Sequence, residues 1–249
     1  MILTSLYVLQ EKLLFLSTTL EQDYQYQFDY NFEELFLNTN DDARLNAIHF
    51  KVEQPKGVIL YFHGNAGDLS RWGTIAELFV KRGYDVVIMD YRTYGKSTGK
   101  LKHDRFYTDA ELFYDYVKAH YDEQRISLYG RSLGTCLATY LASKHSPYQL
   151  ILETPYYSMV DVAKQRFPIF PVDVLLKYAF PSYKYIQEVA CPITIFHGTD
   201  DEVVPFDSAK QLVDMAPESL TTFIPVTGGQ HNNLADFEMY WSNIETVLP

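Results

Sequence analysis

The sequence predicts an α/β protein with a mostly parallel sheet and helices on both faces. Three observations carry that prediction. Short apolar runs recur along the chain, amphipathic stretches alternate with them, and turn residues mark the junctions. At 249 residues, 47% hydrophobic and 21% charged, the chain has the length and balance of one large globular domain. Residues 1–249 are therefore read as a single domain.

The elements follow in order. Phe32 to Asn38 and Leu45 to Val52 alternate in polarity around Asn38-Thr39-Asn40-Asp41-Asp42, which predicts an antiparallel hairpin at the entry to the sheet. Val58-Ile59-Leu60-Tyr61-Phe62 and Val86-Val87-Ile88-Met89 are unbroken apolar runs, as parallel strands covered on both faces are. Between them Ser70 to Arg82 has helical periodicity through Trp72, Ile75, Leu78 and Phe79, and it stops at Gly83. Asp104 to Tyr121 places Phe106, Ala110, Phe113, Tyr114 and Val117 on one side of a helix. Arg125 to Tyr129 reads as a short buried strand, and Leu133 to Ser143 as a helix built on small residues. Leu150 to Leu152, Ile193 to Phe196 and Thr222 to Ile224 complete a sheet of the eight-stranded type, with a last helix over Leu234 to Ile244.

One segment breaks the rhythm. Between Pro155 and Pro192 no clean strand occurs, and Phe167-Pro168-Ile169-Phe170-Pro171 and Phe180-Pro181 interrupt it. Residues 155–191 are read as a small helical cap inserted after a strand, with Val172 to Tyr178 as its best helix. The competing reading is two ordinary crossover helices joined by a proline-rich link.

Composition narrows the partners. A net charge of −11, relieved by no Lys/Arg cluster, argues against binding nucleic acid or anionic lipid through long-range attraction. The 21 tyrosines are expected at the surface and at core edges, rather than along a substrate groove. Two cysteines, Cys136 and Cys191, make no disulfide framework; they read as buried fillers and fit a reducing, cytoplasmic setting. The apolar start Ile2 to Leu9 is too short to span a bilayer and lacks the marks of a signal peptide. Leu6, Leu9, Leu13 and Leu14 predict a short amphipathic helix packed on the domain. The alternative is the end of a longer membrane anchor, which would bring the protein to a membrane through its N-terminus.

The chemistry centres on Gly130-Arg131-Ser132-Leu133-Gly134, a G-x-S-x-G pattern set between a strand and a helix. A turn of that kind holds a serine in a strained conformation and lifts its hydroxyl above the sheet. A serine hydroxyl needs a base within hydrogen-bond reach and a carboxylate to orient the base. In a sheet of this type both come from loops after later strands, in the order Ser, Asp, His. After Ile193 to Phe196 comes His197-Gly198-Thr199-Asp200-Asp201-Glu202, and after Thr222 to Ile224 comes Gly228-Gly229-Gln230-His231-Asn232. His231 is the candidate base and Asp201 the candidate acid, with Asp200 as the alternative. The expected oxyanion donors are the backbone N–H groups of Leu133, directly after the serine, and of Asn65 in the loop His63-Gly64-Asn65-Ala66-Gly67. That loop lacks the lysine and spacing of a phosphate-binding loop. His63 is read as a structural support, and His49, His103, His120 and His145 as surface residues. No H-E-x-x-H or similar spacing occurs, so neither a metal nor a cofactor is expected.

Together these segments resemble the α/β-hydrolases. The closest likeness is to small α/β-hydrolase domain-containing proteins related to the serine aminopeptidase and monoacylglycerol lipase group. The matching pieces are Tyr61 to Gly67, Asp90-Tyr91-Arg92-x-Tyr94-Gly95-Lys96-Ser97, Gly130 to Gly134, His197-Gly198-x-x-Asp201-x-x-Val204-Pro205 and His231-Asn232. The resemblance spans about Gln10 to the C-terminus and implies Ser132 as nucleophile, Asp201 as acid and His231 as base. It supports Asp201 because the aspartate stands four residues after the histidine of His-Gly. Thr93 stands where the family has glycine, which narrows that wall of the pocket without touching the triad. The implied activity is serine-dependent hydrolysis of small acyl substrates, carboxylic esters of short or medium chains first. The alternatives on the same triad are a peptidase or amidase, or an acyl-thioesterase acting on lipid or protein, with acylglycerols also open as substrates. A non-catalytic binding module on the same scaffold is the reading from another class.

Overall fold

The computed structural model describes residues 7, 9–12 and 14–248. Eight strands make a mostly parallel sheet with intervening helices, the predicted α/β architecture. By contact density the chain forms two compact units, Met1–Ser127 and Leu128–Pro249, taken in turn below.

In the first unit β1 (Phe32–Asn38) and β2 (Arg44–Phe50) form the expected antiparallel hairpin, in a register that pairs Phe32 with Phe50 and Leu35 with Ala47. β2 runs antiparallel to β4 (Asp85–Met89), which lies parallel to β3 (Val58–Phe62). Every residue of β3 and β4 is buried, because helices cover strands that alternate along the chain with them. The helix Leu69–Val80 packs on β4 and β2, and its first turn is capped by Asp68, whose carboxylate accepts from the Ser70 N–H. The helix His103–Lys118 packs on β3 through the predicted face, with Phe106, Ala110, Phe113, Tyr114 and Val117 all buried.

One expectation fails in this unit. His49 is buried within β2 rather than at the surface: its Nδ1 lies 3.1 Å from the Tyr116 hydroxyl and its Nε2 2.8 Å from that of Tyr121. Burial holds its pKa down at about 4. Its partners lie about 70 residues further along the chain, so no local pattern announces them. The N-terminal helix is in part as expected, with residues 9–12 helical; Leu6 and Leu13 fall outside the described residues.

The second unit carries β5 (Ile126–Arg131), which starts at the boundary, then β6 (Gln149–Glu153), β7 (Ile193–Gly198) and β8 (Thr221–Val226), side by side in chain order. β6, β7 and β8 are parallel. The helix after the serine begins with a 3₁₀ turn, Ser132–Gly134, before Thr135–Lys144 continues as α-helix. Residues 155–191 hold three short helices, Met159–Arg166, Val172–Leu175 and Ser182–Ile186. Val172 to Tyr178, expected as the best helix, keeps only four helical residues, and the longest is Met159–Arg166, capped by Ser158. The helix Val172–Leu175 has no side-chain cap, and apolar periodicity alone does not extend a helix. The helix Ser182–Ile186 packs against Thr135–Lys144 and Phe206–Met215. The last helix is Glu238–Val247, preceded by a 3₁₀ turn at Leu234–Asp236.

The tyrosines are also deeper than expected. Tyr91, Tyr94, Tyr114, Tyr129, Tyr156 and Tyr240 are essentially inaccessible. Each phenol meets an internal partner, such as the His63 carbonyl for Tyr91 and the Leu133 carbonyl for Tyr156. A buried tyrosine needs only one such partner, and loops near strand ends supply it. Both free cysteines are buried, and burial pushes the Cys191 thiol up to about 11. Among the described residues no helix is long and apolar enough to cross a membrane.

Candidate active site

Ser132 sits directly after β5 with φ of 49°, in the left-handed region that side chains avoid. The turn is possible because Gly130 precedes it: a Cβ there would stand 2.6 Å from the Thr135 Cα and 2.8 Å from the Gly134 carbonyl oxygen. The Thr135 hydroxyl donates back to the Ser132 carbonyl at 2.6 Å and pins the far side of the turn. The strained backbone is thus held from both directions.

His231 Nε2 lies 2.9 Å from the Ser132 Oγ, and His231 Nδ1 lies 2.8 Å from the Asp201 Oδ2. Of the three neighbouring acids only Asp201 meets the imidazole. Asp200 is exposed and accepts from the Thr199 hydroxyl at 2.9 Å, and Glu202 is exposed. The second Asp201 oxygen accepts from the backbone N–H groups of Val203 and Val204, both at 2.8 Å. Burial opposes ionisation of Asp201, but His231, the Val204 N–H and His197 together outweigh it and hold the carboxyl below its ordinary value.

Strand ends bring these residues together. Asp201 follows β7 and His231 follows β8, neighbours in the parallel sheet. The two loops are laced: Asp200 N–H donates to the Gly229 carbonyl at 2.9 Å, and Gly228 N–H to the Thr199 hydroxyl at 2.9 Å. The loop carrying His231 passes so close to β7 that a Cβ on Gly198 would stand 2.1 Å from the Gly229 oxygen.

His197 is a neighbour that motif reasoning passed over. It is fully buried, donates from Nε2 to the Val204 carbonyl at 2.9 Å, and places the same nitrogen 3.4 Å from the Asp201 Oδ2. Burial lowers its pKa. Its place at the end of an apolar strand, four residues before Asp201, was the available signal.

The expected oxyanion donors lie one in each unit. Leu133 lies within the 3₁₀ turn Ser132–Gly134 and is buried. Asn65 lies in the first unit, where its side chain is clamped. Its Oδ1 accepts from the Tyr94 hydroxyl at 2.9 Å and the Leu16 N–H at 3.3 Å, while its Nδ2 donates to the Leu14 carbonyl. The strap of residues 16–20 continues along this loop. Gly67 N–H donates to the Leu16 carbonyl, Thr18 N–H to the Gly67 carbonyl and Gly95 N–H to the Thr18 carbonyl, at 2.7–3.2 Å. His63, beneath the same loop, has Nε2 3.3 Å from the Asp90 Oδ1 and Nδ1 2.6 Å from the Gly64 carbonyl oxygen, a supporting position. Thr93, where glycine is usual in the resembled family, takes φ of 71°, a conformation that glycine adopts without strain. Among the described residues no group of three or more His, Cys, Asp or Glu is arranged to hold a metal ion.

Comparison with known proteins gives this geometry its context. The family described as serine aminopeptidase, S33, matches residues 53–185. Alpha/beta hydrolase domain-containing protein 17C of Mus musculus is 31% identical over 226 residues, 87% of this chain and 67% of that protein. A lysophosphatidylserine lipase of Danio rerio is 33% identical over 72% of this chain and 51% of its own length. In fold, an esterase of Pyrococcus furiosus superposes with a TM-score of 0.72 at 17% identity, covering 93% of this chain and 96% of the other. The chain belongs to the α/β-hydrolase superfamily, in the family described as serine aminopeptidase, S33.

Proposed function

We propose that this hydrolase cleaves carboxylic esters of short or medium acyl chains through an acyl-enzyme on Ser132. The carrying observation is the unbroken relay from the Ser132 Oγ to His231 at 2.9 Å and from His231 to Asp201 at 2.8 Å. In that arrangement Nδ1–H of His231 donates to the Asp201 carboxylate, which leaves the Nε2 lone pair to accept the serine proton. Ser132 Oγ then attacks the ester carbonyl and its proton passes to Nε2. The backbone N–H of Leu133 holds the oxyanion of the tetrahedral intermediate. Collapse breaks the bond to the leaving alkoxide, which takes the proton from Nε2. Water enters, gives a proton to Nε2, attacks the acyl carbon and releases the acid with Ser132 restored. One oxyanion donor is typically worth about 10²–10³ in rate.

Ser132→Ala is the test. Hydrolysis of a p-nitrophenyl ester should fall by roughly 10⁶-fold, as where triad members act as a unit, with circular dichroism unchanged. Retained turnover in a folded variant would overturn the reading. A second reading, an aminopeptidase or amidase on the same residues, draws on the description of the matched family. A panel of acyl esters against aminoacyl amides separates the two. A higher kcat/KM on the amides would move the substrate class.

A further inference from the structure

The residue before the nucleophile belongs to a buried charge cluster that the chemistry above does not use. Arg131 and Glu153 have side chains 7% and 4% exposed, and Arg131 Nε lies 3.3 Å from the Glu153 Oε1. Glu153 ends β6. Its Oε2 accepts from the Tyr129 hydroxyl and, at 3.3 Å, from the Tyr240 hydroxyl, and the two phenols meet at 2.6 Å. The backbone is fixed as well: Thr154 follows with φ of 51°, donates its hydroxyl to the Glu153 carbonyl at 2.8 Å, and donates its N–H to the Phe196 carbonyl at 2.8 Å. Side chains from β5 and the last helix therefore close on one carboxylate of β6.

An ion pair kept in such an interior is poor value as stabilisation, since well-packed apolar residues of similar volume often do as well. The other end of the guanidinium points to a different use. Arg131 Nη2 reaches the Asn232 Oδ1 at 3.5 Å. Asn232 is the residue after His231, and Arg131 is the residue before Ser132. A single planar fork, anchored by Glu153, thus touches both segments whose spacing sets the serine–imidazole hydrogen bond. A lysine could not do this, because a point cation has no second arm.

We propose that Arg131, held by Glu153, is a positioning residue that ties the nucleophile turn to the base loop and fixes the Ser132–His231 geometry. It rests on the serine-hydrolase reading above. Small displacements of reacting groups are expensive in rate, whereas substrate binding made elsewhere is untouched. The signature is therefore a loss in kcat with KM nearly constant.

The experiment uses the full chain with Arg131→Met, Arg131→Lys, Glu153→Gln, Asn232→Ala and the double variant Arg131→Met/Glu153→Gln. It measures kcat and KM on a p-nitrophenyl ester, the rate of fluorophosphonate labelling at Ser132, and Tm. The expected kcat losses are about 10²-fold for Arg131→Met and Glu153→Gln, with KM within about threefold. Arg131→Lys recovers only part of the loss. Asn232→Ala lowers kcat by about 10-fold, and adds little to Arg131→Met because both break one link. The double variant removes both charges and leaves none stranded, so it recovers Tm but not kcat. A folded double variant with wild-type kcat and labelling rate overturns the positioning role while leaving the serine reading intact. Wild-type protein that hydrolyses the ester but takes no label at Ser132 instead overturns the serine reading, and the positioning role with it.

Discussion

Among the described residues each unit holds a buried histidine–aspartate pair, His63–Asp90 in the first and His231–Asp201 in the second, and the two differ in what meets the far nitrogen of the ring. In residues 1–127, His63 faces Asp90 with Nε2 and the Gly64 carbonyl with Nδ1, and both side chains are wholly inaccessible. In residues 128–249, His231 faces Asp201 with Nδ1 and the Ser132 hydroxyl with Nε2, and its side chain is 11% exposed. The residue types are the same; the third partner is not. A carbonyl can only accept, so the first pair ends in a fixed support. A hydroxyl can give its proton away, so on the proposed reading the second ends in a nucleophile. The aspartates diverge too. Burial pushes the Asp90 carboxyl above its ordinary value, while His231, the Val204 N–H and His197 overcome burial and pull Asp201 below it.

The matched substitutions Asp201→Asn and Asp90→Asn put the largest load on that contrast. Asp201→Asn favours the wrong tautomer of His231 and should lower kcat about 10⁴-fold. Asp90→Asn should lower it no more than about 10-fold, since it touches a support and not the proton relay. Steady-state kinetics on one ester checks both, and similar losses in the two would erase the distinction.

A second, smaller effect lies at Gly198. A methyl group there meets the Gly229 carbonyl, so Gly198→Ala should displace the base loop and cost roughly 1–3 kcal/mol of stability. Denaturant unfolding measures the cost, and kcat should fall with it. An unshifted midpoint would mean that the loop yields freely.

Titration gives the third difference, and its sign follows from linkage. Asp201 has a lowered folded value, so its stabilisation is present above the ordinary 3.8 and lost as pH falls through the lower folded value. Asp90 has a raised folded value, so its contribution is fullest below 3.8 and is lost as pH rises through the folded value. At pH 7 Asp201→Asn should lower Tm and Asp90→Asn should raise it, and both differences should shrink toward pH 3. Calorimetry across that range would contradict the account if the two shifts shared a sign. The smallest effect is Asp200→Asn, an exposed neighbour, where kcat should stay within about twofold.

The part of this that was legible in the sequence is the part encoded locally. Unbroken apolar runs such as Val58 to Phe62 can only be covered strands, and Gly130-x-Ser132-x-Gly134 describes a turn whose constraints lie within five residues. Ser132, Asp201 and His231 could be named because each follows a strand, and parallel strands deliver their ends to one edge. What was not legible depends on distant chain. Glu153 looks like an ordinary charge at a strand end until Tyr240, 87 residues away, bonds to it. His49 looks exposed until helix His103–Lys118 brings Tyr116 to it. The clamp on Asn65 by Leu14 and Leu16 has no sequence signature, because backbone groups make it. Val172 to Tyr178 failed for the opposite reason: its periodicity was visible, but its neighbours left Val174 80% exposed.

The central claim, that Ser132 is the nucleophile activated through His231 and Asp201, is tested most directly by capturing the acyl-enzyme. The protein is mixed with a p-nitrophenyl ester, quenched in acid during the burst, digested and mapped by mass spectrometry. The account predicts one acyl adduct, on the peptide carrying Ser132. It should be absent in Ser132→Ala, formed far more slowly in Asp201→Asn, and formed at near wild-type rate in Asp90→Asn. An adduct on another residue, or one that survives Ser132→Ala, would contradict it.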